Sequence, residues 1–557
     1  MNTLKPIVIF TLIVALFSSC EDLLEPQPLD GAYTDEFVWA NPTYARGVLY
    51  ASYLSIPYSS AIMPGVDFLA IATDDAVSNN LSTANRSFSI GQLSSSFNVI
   101  DCWAADYELL RNVNDFLENG LQLRYMEDPE VNERMLDRYR GEALFMRAYL
   151  HFKLLKYYGG KVNGVAMGVP IVTKVLGADD EQNIVRPTYL ETAQQIYADC
   201  DEAYNYLPEV YSGTDQVDGE RHEGGATKGA AKTLKAITAL FAASPAYNFD
   251  QALISENWEN AVDFAMEAIL EIDGLINLNA IKRNFSAPSG EDVIWRGRFF
   301  SDYNLEGKNF PPSYYGQGRT NPTKDLVDAF PDYFGFPEGH ASYNGAFRDP
   351  RLGEYIFVNG ATFNGEKIET FVGGKDSREV SQYGTRSGYY LRKFMAKGAE
   401  LYPERKGAQN TFNPILSKTE LYFALAEALN EYHQDPKGTT NGISSEAIMT
   451  KLRKRAFIID LYMGEISNAG YEEFQKFIRN ERRVELCFED KRFWDLRRWD
   501  TEVDQVDVHG VRITKESDGT LVEEEFVIET RSFNGKSLPI PYKDALLLEN
   551  VPQNEGW

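Results

Sequence analysis

The spacing of apolar residues narrows the possible folds of this 557-residue chain more than any other feature. From Asn41 onward, and again from 417 to 499, apolar side chains recur every three or four positions over lengths that strands do not reach, which predicts a largely helical protein. Helices are expected over 100–123, from Pro129 to Tyr158, and over 188–206, 227–243, 258–272, 417–432, 444–459 and 471–499. Pro129 suits a first helical turn and Gly159-Gly160 a stop. Leu144, Ala148, Phe152 and Leu155 form one stripe flanked by Phe145 and Tyr149, wide enough to pack on two neighbours. Successive helices of this length suggest hairpins stacked as in tetratricopeptide repeats, with an irregular period and without the W-x-x-L-G-x-x-Y signature. Trp103, Trp494 and Trp499 fall within these patterns and are assigned to the core.

Between residues 277 and 413 the pattern changes. Gly, Pro, Asn and aromatic residues dominate, as in the NFPPSYYGQGRT segment at 309–320, and no long helical period survives. Short alternating runs such as 292–296 are candidate strands. A long irregular insertion this rich in Tyr, Phe and Trp is expected to be functional, not disordered. The reading is therefore a mainly α fold, a helical-hairpin scaffold over 41–276 and 414–557 with a loop-rich, short-strand insertion over 277–413 that binds ligand.

Charge then excludes partners. With 82 acidic against 55 basic side chains the net charge is −27, unsuited to capturing phosphate backbones, so no nucleic-acid partner is expected. Four cysteines (Cys20, Cys102, Cys200, Cys487) and five histidines are dispersed, which suggests neither a disulfide framework nor a zinc site. No cofactor is expected, although the acidic excess leaves room for a structural Ca²⁺.

At the N-terminus, Lys5 precedes an apolar run from Ile7 to Phe17 that is too short to span a bilayer and ends at Ser18, Ser19 and Cys20. This reads as a secretory leader over 1–19 whose cysteine becomes a lipidated mature N-terminus, followed by a tether over 20–40. The acyl chains, not the acidic body, would supply membrane affinity.

Candidate chemistry is sparse. Gly225-Ala226-Thr227-Lys228-Gly229 superficially resembles a phosphate-binding loop, but Ala230 stands where Lys is required, and a helix start capped by Thr227 is the better reading. In 471–499, Glu481 lines up with Phe474, Phe477, Val484 and Phe488, so a carboxylate sits in the apolar stripe and needs a partner. An ion-pair lattice within and between helices is expected, with Arg482–Glu485 and Glu489–Arg492 three residues apart. Such paired carboxylates could instead serve a glycosidase, although arginines would hold them ionised. No nucleophile elbow, H-E-x-x-H or dinucleotide fingerprint is present.

Several segments together resemble the SusD/RagB family of nutrient-binding outer-membrane lipoproteins. They are Arg140-Gly141-Glu142-Ala143 through Tyr149 to Tyr157-Tyr158-Gly159-Gly160; Ala226 to Ala231; Asn321-Pro322-Thr323 with Leu326 to Phe330; and Asp349-Pro350-Arg351-Leu352. Near the end come Glu481 to Leu486 with Arg492 to Trp499, then Leu538 to Pro541 and Gln553-Asn554-Glu555-Gly556-Trp557. Two departures stand out: Lys161 to Gly168 interrupt the family's Y-G-G-V-P, and Glu555 and Trp557 replace Pro and Tyr in its closing Q-N-P-G-Y. The resemblance implies a tetratricopeptide-like scaffold. It also implies a non-enzymatic cell-surface lipoprotein of a Gram-negative outer membrane, which captures oligosaccharide, or peptide in some members, and acts as lid for a SusC-like TonB-dependent β-barrel transporter.

Sugar capture without chemistry calls for flat aromatic faces and polar side chains for hydroxyls. The candidates are Phe299, Phe300, Tyr303, Tyr314 and Tyr315, with Arg298, Gln317 and Arg319 as polar partners. Phe68, Asp74, Asp75, Asn79, Asn80 and Phe88 are candidates for a facing wall. Three readings stay open: a binding module, a surface glycosidase and a scaffold that binds only protein.

Overall fold

The computed structural model describes residues 34–57, 59–177, 180, 183–274, 291–299, 301–408 and 412–557. The leader, Cys20, most of the tether and Phe300 lie outside them. The helices that organise the molecule are α1 (Pro42–Ser52), α2 (Trp103–Asn119), α3 (Pro129–Tyr158), α4 (Tyr189–Tyr204), α5 (Lys228–Ala243), α6 (Ile254–Asp273), α7 (Lys418–His433), α8 (Ser445–Arg455), α9 (Tyr471–Glu485) and α10 (Arg492–Arg498). From α1 to α7 each packs on the next in sequence, and α7 also packs on α8 and α9. This nearest-neighbour array is the expected mainly helical, tetratricopeptide-like scaffold.

Local chemistry sets the helix ends. Asp128 accepts the Glu130 and Val131 amides at the start of α3, with Pro129 in the first turn. The helix stops where the chain meets α4: a Cβ on Gly159 would lie 2.6 Å from the Tyr189 ring, and one on Gly160 2.6 Å from Asn554 Oδ1. Thr188 and Glu191 form a capping box on α4. Thr227 caps α5 by accepting the Ala230 amide, and Ala226, Ala230 and Ala231 are fully buried, so the loop at 225–229 is a close-packed helix start.

α6 and α7 are packed neighbours although the whole irregular insertion separates them in sequence. The insertion leaves and re-enters the array as an antiparallel pair, Val293–Arg296 against Pro414–Ser417. Trp295 fastens it: the ring packs edge-on against Phe145 and Tyr149 of α3 and its N–H donates to the Gly224 carbonyl at 3.1 Å. Strand Ala76–Ser78 pairs with Thr320–Pro322, tying the segment before α2 to the insertion.

Three expectations need correction. The single helix over 471–499 is two, α9 and α10, broken where Phe488 and Asp490 take positive φ values of 62° and 60°. Lys393, from the insertion, donates to the Glu485 and Cys487 carbonyls at 2.8 and 2.9 Å, satisfying groups that a continuing helix would have used. Second, the expected ion-pair lattice forms, but mostly through remote partners and not through Arg482–Glu485 or Glu489–Arg492; within one helix, Asp495 meets Arg498 at 2.8 Å. Glu481 meets Arg351 (3.0 Å) and Arg453; Glu485 meets Arg351 (2.9 Å) and Arg455 (2.6 Å); Arg482 meets Asp495 (2.8 Å) and Glu420 (3.4 Å). Glu489 pairs with Lys393 at 2.7 Å and Arg492 with Asp74 at 2.8 Å. Third, residues 506–531, expected within the helical part, form a long hairpin of strands Val506–Lys515 and Leu521–Arg531. Trp103, Trp494 and Trp499 are in the core as expected.

Candidate functional site

The strand pair that closes the insertion also builds one edge of an aromatic surface. Gly297 N–H donates to the Asn413 carbonyl at 2.9 Å, bringing Phe299 and Phe412 edge to face with centroids 6.0 Å apart. The Arg296 guanidinium lies over the Phe299 ring at 3.7 Å, leaving that ring partly open to solvent. Tyr303 follows, its hydroxyl accepting the Ala408 amide at 3.2 Å and so linking this edge to the loop that carries Tyr402.

The NFPPSYYGQGRT segment then turns back on itself. Gly318 N–H donates to the Phe310 carbonyl at 2.9 Å, and a Cβ on Gly316 would lie 2.6 Å from the Phe310 carbonyl carbon. Only glycine permits that approach. The turn holds Tyr315 at φ 62° and projects its ring outward, 64% exposed, where it packs on Tyr402, 60% exposed, with centroids 4.8 Å apart. Two solvent-exposed tyrosines held against each other form an amphipathic platform: flat carbon faces with hydroxyl rims.

The neighbouring candidates are structural. Tyr314 packs on Phe310 and Phe363, and its hydroxyl donates toward the Phe363 and Glu366 carbonyls; burial, with Glu366 and Asp376 nearby, pushes its ionisation up to about 12. Lys308 donates to the Gln317 side-chain oxygen at 3.2 Å, and Arg319 faces Asp67 at 3.6 Å. Arg298 is exposed beside Phe299.

The proposed facing wall is adjacent, as the 76–78 and 320–322 pairing requires, but most of it points inward. Phe68 is buried, stacked on Phe394 and edge-on to Phe488; Phe88 is buried against Phe493 and Phe533. Burial disfavours the charge of Asp74, yet Arg483 and Arg492 hold its carboxyl well below the usual range, while burial beside Asp74 pushes Asp75 up despite Arg483. Asn79 is a clamp whose amide donates to the Gln317 and Tyr383 carbonyls at 2.7 and 3.1 Å. Asn80 accepts the Ser82 amide in a turn.

Tyr402, Phe412 and Tyr383 were not among the sequence candidates. Each is an aromatic side chain in an irregular segment, the same signal that nominated Tyr315, but nothing in the spacing says that residues so far apart share a surface. Among the described residues no group of three or more His, Cys, Asp or Glu side chains is arranged to hold a metal ion, and no helix is long and apolar enough to cross a membrane.

Comparison with known proteins agrees with this architecture. A family model described as the SusD family matches residues 289–557, and a second, described as "starch-binding associating with outer membrane", matches 66–219. A curated relative, SusD-like protein P25 of Formosa agariphila, is 22% identical over the whole of this chain and 99% of its own. A SusD-like crystal structure from Bacteroides fragilis superposes with a TM-score of 0.73 at 23% identity, covering 95% of this chain and 100% of that one. A SusD-like carbohydrate-binding protein from the same species gives 0.69 at 20% identity, covering 92% and 99%. With the helical array and the insertion in place, and two SusD-type models matching 289–557 and 66–219, the chain belongs to the SusD/RagB family.

Proposed function

We propose that this protein captures oligosaccharides at the cell surface without cleaving them and passes them to an outer-membrane transporter. The observation that carries this reading is the exposed Tyr315–Tyr402 pair, with Phe299, Phe412 and Tyr303 on adjoining segments. If one ring face removes ~100 Å² of sugar carbon from water at ~25 cal/mol/Å², it contributes roughly 2.5 kcal/mol before association costs. Two or three such contacts give about millimolar to micromolar affinity, suited to a ligand that must be released. The carbohydrate-binding relative of the same fold supports the ligand class.

Restriction to binding is supported by where the buried acids are spent. Glu427, Glu481, Glu485 and Asp495 face arginines inside the fold, away from solvent. Burial works against the charge of Glu427 and Asp495, yet Arg498 beside Glu427 and Arg482 with Arg498 beside Asp495 hold those two carboxyls below the usual range. In this reading Cys20 carries the acyl anchor and a SusC-like TonB-dependent barrel is the partner that the protein covers as a lid.

The test is calorimetry of the purified mature chain against a panel of neutral and acidic oligosaccharides, with chromatography of each mixture afterwards. Saturable heat with no new sugar products is expected. Product release that disappears on replacing one carboxylate would make the protein a hydrolase, and heat with peptides alone would reassign the ligand.

A further inference from the structure

Beside the aromatic face lies a cleft of about 330 Å³ between the loop 370–388 and the long hairpin at 506–531. Its lining includes Arg378, Arg386, Arg512, Glu379 and Phe526. It connects to the platform through Asn79. Arg378 donates to the Asn79 carbonyl at 3.3 Å, and the Asn79 side chain donates to the carbonyl of Gln317, two residues from Tyr315, and to that of the partly exposed Tyr383.

The charged side chains that line this cleft, three arginines to one glutamate, run against the balance of the whole molecule. In a chain of net charge −27, three guanidiniums share one carboxylate here: Arg86, Arg386 and Arg531 lie 3.0, 2.8 and 2.7 Å from Glu529. Burial works against the charge on Glu529, yet Arg531 and Arg386 hold its carboxyl down to about 2. Arg378, pushed below the usual arginine range by burial and by Arg386, is in no ion pair among the described residues, and neither is Arg512. Glu379 on the lining and Glu523, Glu524 and Glu525, opposite Ile513, Arg512 and Val511 in the strand register, are the nearby counter-charges, with Glu525 paired to Lys324 at 3.2 Å.

A neutral sugar has no use for lining guanidiniums left outside the ion pairs, as Arg378 and Arg512 are. A guanidinium fork matches the paired oxygens of a carboxylate or a sulfate ester. An acidic protein repels polyanions except where cations are concentrated within about one screening length, ~8 Å at physiological salt. We infer that this cleft takes the anionic substituents of an acidic oligosaccharide whose sugar rings lie on the adjoining aromatic face. The inference rests on the sugar-binding reading above.

The experiment is calorimetry of the mature chain against three oligosaccharides of matched length: a neutral glucan, a hexuronate oligomer and a sulfated neutral oligomer. At low salt at least one acidic oligomer is expected to bind about tenfold or more tighter than the neutral one, with the advantage shrinking as salt rises. The carboxylate and sulfate arms identify which anion is preferred. The Arg378→Gln, Arg512→Gln double variant should lose about tenfold in affinity for that oligomer and change less than about twofold for the neutral one. Arg512→Glu, at an exposed strand position, gives the same readout if the double variant folds poorly. Equal affinity for neutral and acidic oligomers, or an acidic affinity that survives these substitutions, overturns the inference while leaving sugar binding intact. Absence of heat with all three removes the sugar-binding reading itself, and this one with it.

Discussion

The ion-pair lattice around α9 and the aromatic surface of the insertion differ in whether their side chains have partners. In the lattice every named carboxylate meets a cation. Arg351 alone bonds to Asp349, Glu481 and Glu485 at 2.6, 3.0 and 2.9 Å, all buried. On the surface, Tyr315 and Tyr402 have each other and solvent. Groups satisfied inside the fold specify it, whereas groups held rigid and left open are available to a ligand. The basic cleft extends the second class from apolar to charged groups.

The hardest way to break this contrast is to remove a lattice cation. Arg351→Ala would strand buried Asp349 and take one of two cations from each of Glu481 and Glu485, and a loss of about 3–5 kcal/mol in urea unfolding is expected. A loss below about 1 kcal/mol would show that water reaches the lattice and that its partners are dispensable. A buried neutral group in the helical array tests the same rule from another side. His151 accepts the Val172 amide at Nε2 (3.1 Å) and its Nδ1 meets the Arg147 carbonyl (2.9 Å), an arrangement that requires the neutral ring. Burial, opposed by Asp199, pushes its pKa down to about 4. The unfolded chain, with an ordinary His near ~6.5, takes up the proton first, so stability should fall as pH drops from about 6.5 through 4, by up to ~3 kcal/mol. His151→Gln should flatten that part of the stability profile. An unchanged slope would assign it to the carboxylates.

On the open side, Tyr315→Ala with Tyr402→Ala should weaken sugar binding at least tenfold, since each ring face contributes on the order of 2 kcal/mol. Thermal unfolding should barely change, because exposed rings carry little of the core. A melting temperature that falls with the affinity would move these tyrosines into the structural class.

The same contrast explains what could be read without coordinates. Helices declare themselves through local repetition, which is why α3 and the capped starts of α4 and α5 lie where the pattern places them. The break between α9 and α10 does not, because no Gly or Pro marks it. It is decided by Lys393, nearly a hundred residues away in sequence. The partners of Glu481 were equally hidden, since Arg351 is remote and helical spacing proposes only near neighbours. The hairpin at 506–531 does carry a signal, alternation in Val506-Asp507-Val508 and around Val511 and Ile513 with Asp518-Gly519 at the turn, but it is short beside the helical periodicity that precedes it. For the site, aromatic content located the insertion. Which rings face out depended on the Gly316 turn and on the strand pair that sets Phe412 beside Phe299.

The smallest expected effect lies at the C-terminus, where two departures from the family pattern turn out to be one. The extra residues after Gly159 form a hairpin, Gly160–Val162 against Val165–Met167, turned at Asn163 and Gly164 with φ of 51° and 77°. Glu555 holds it from the other side: its N–H donates to the Lys161 carbonyl at 2.9 Å and its side chain accepts the Gly164 amide at 3.0 Å. Proline, the family's residue there, has no N–H to give and no carboxylate to receive. Glu555→Pro should therefore cost about 1–2 kcal/mol for two partly exposed hydrogen bonds, and Glu555→Gln less, since its amide oxygen still accepts. If the hairpin and Glu555 form one unit, trimming residues 161–168 should shrink the penalty of Glu555→Pro, a coupling that a double-mutant cycle measures. Additive costs would instead mean that proline is tolerated or rejected at 555 for reasons confined to the terminal turn, where Gly556 sits at φ 94° and a Cβ on it would press on Asn534.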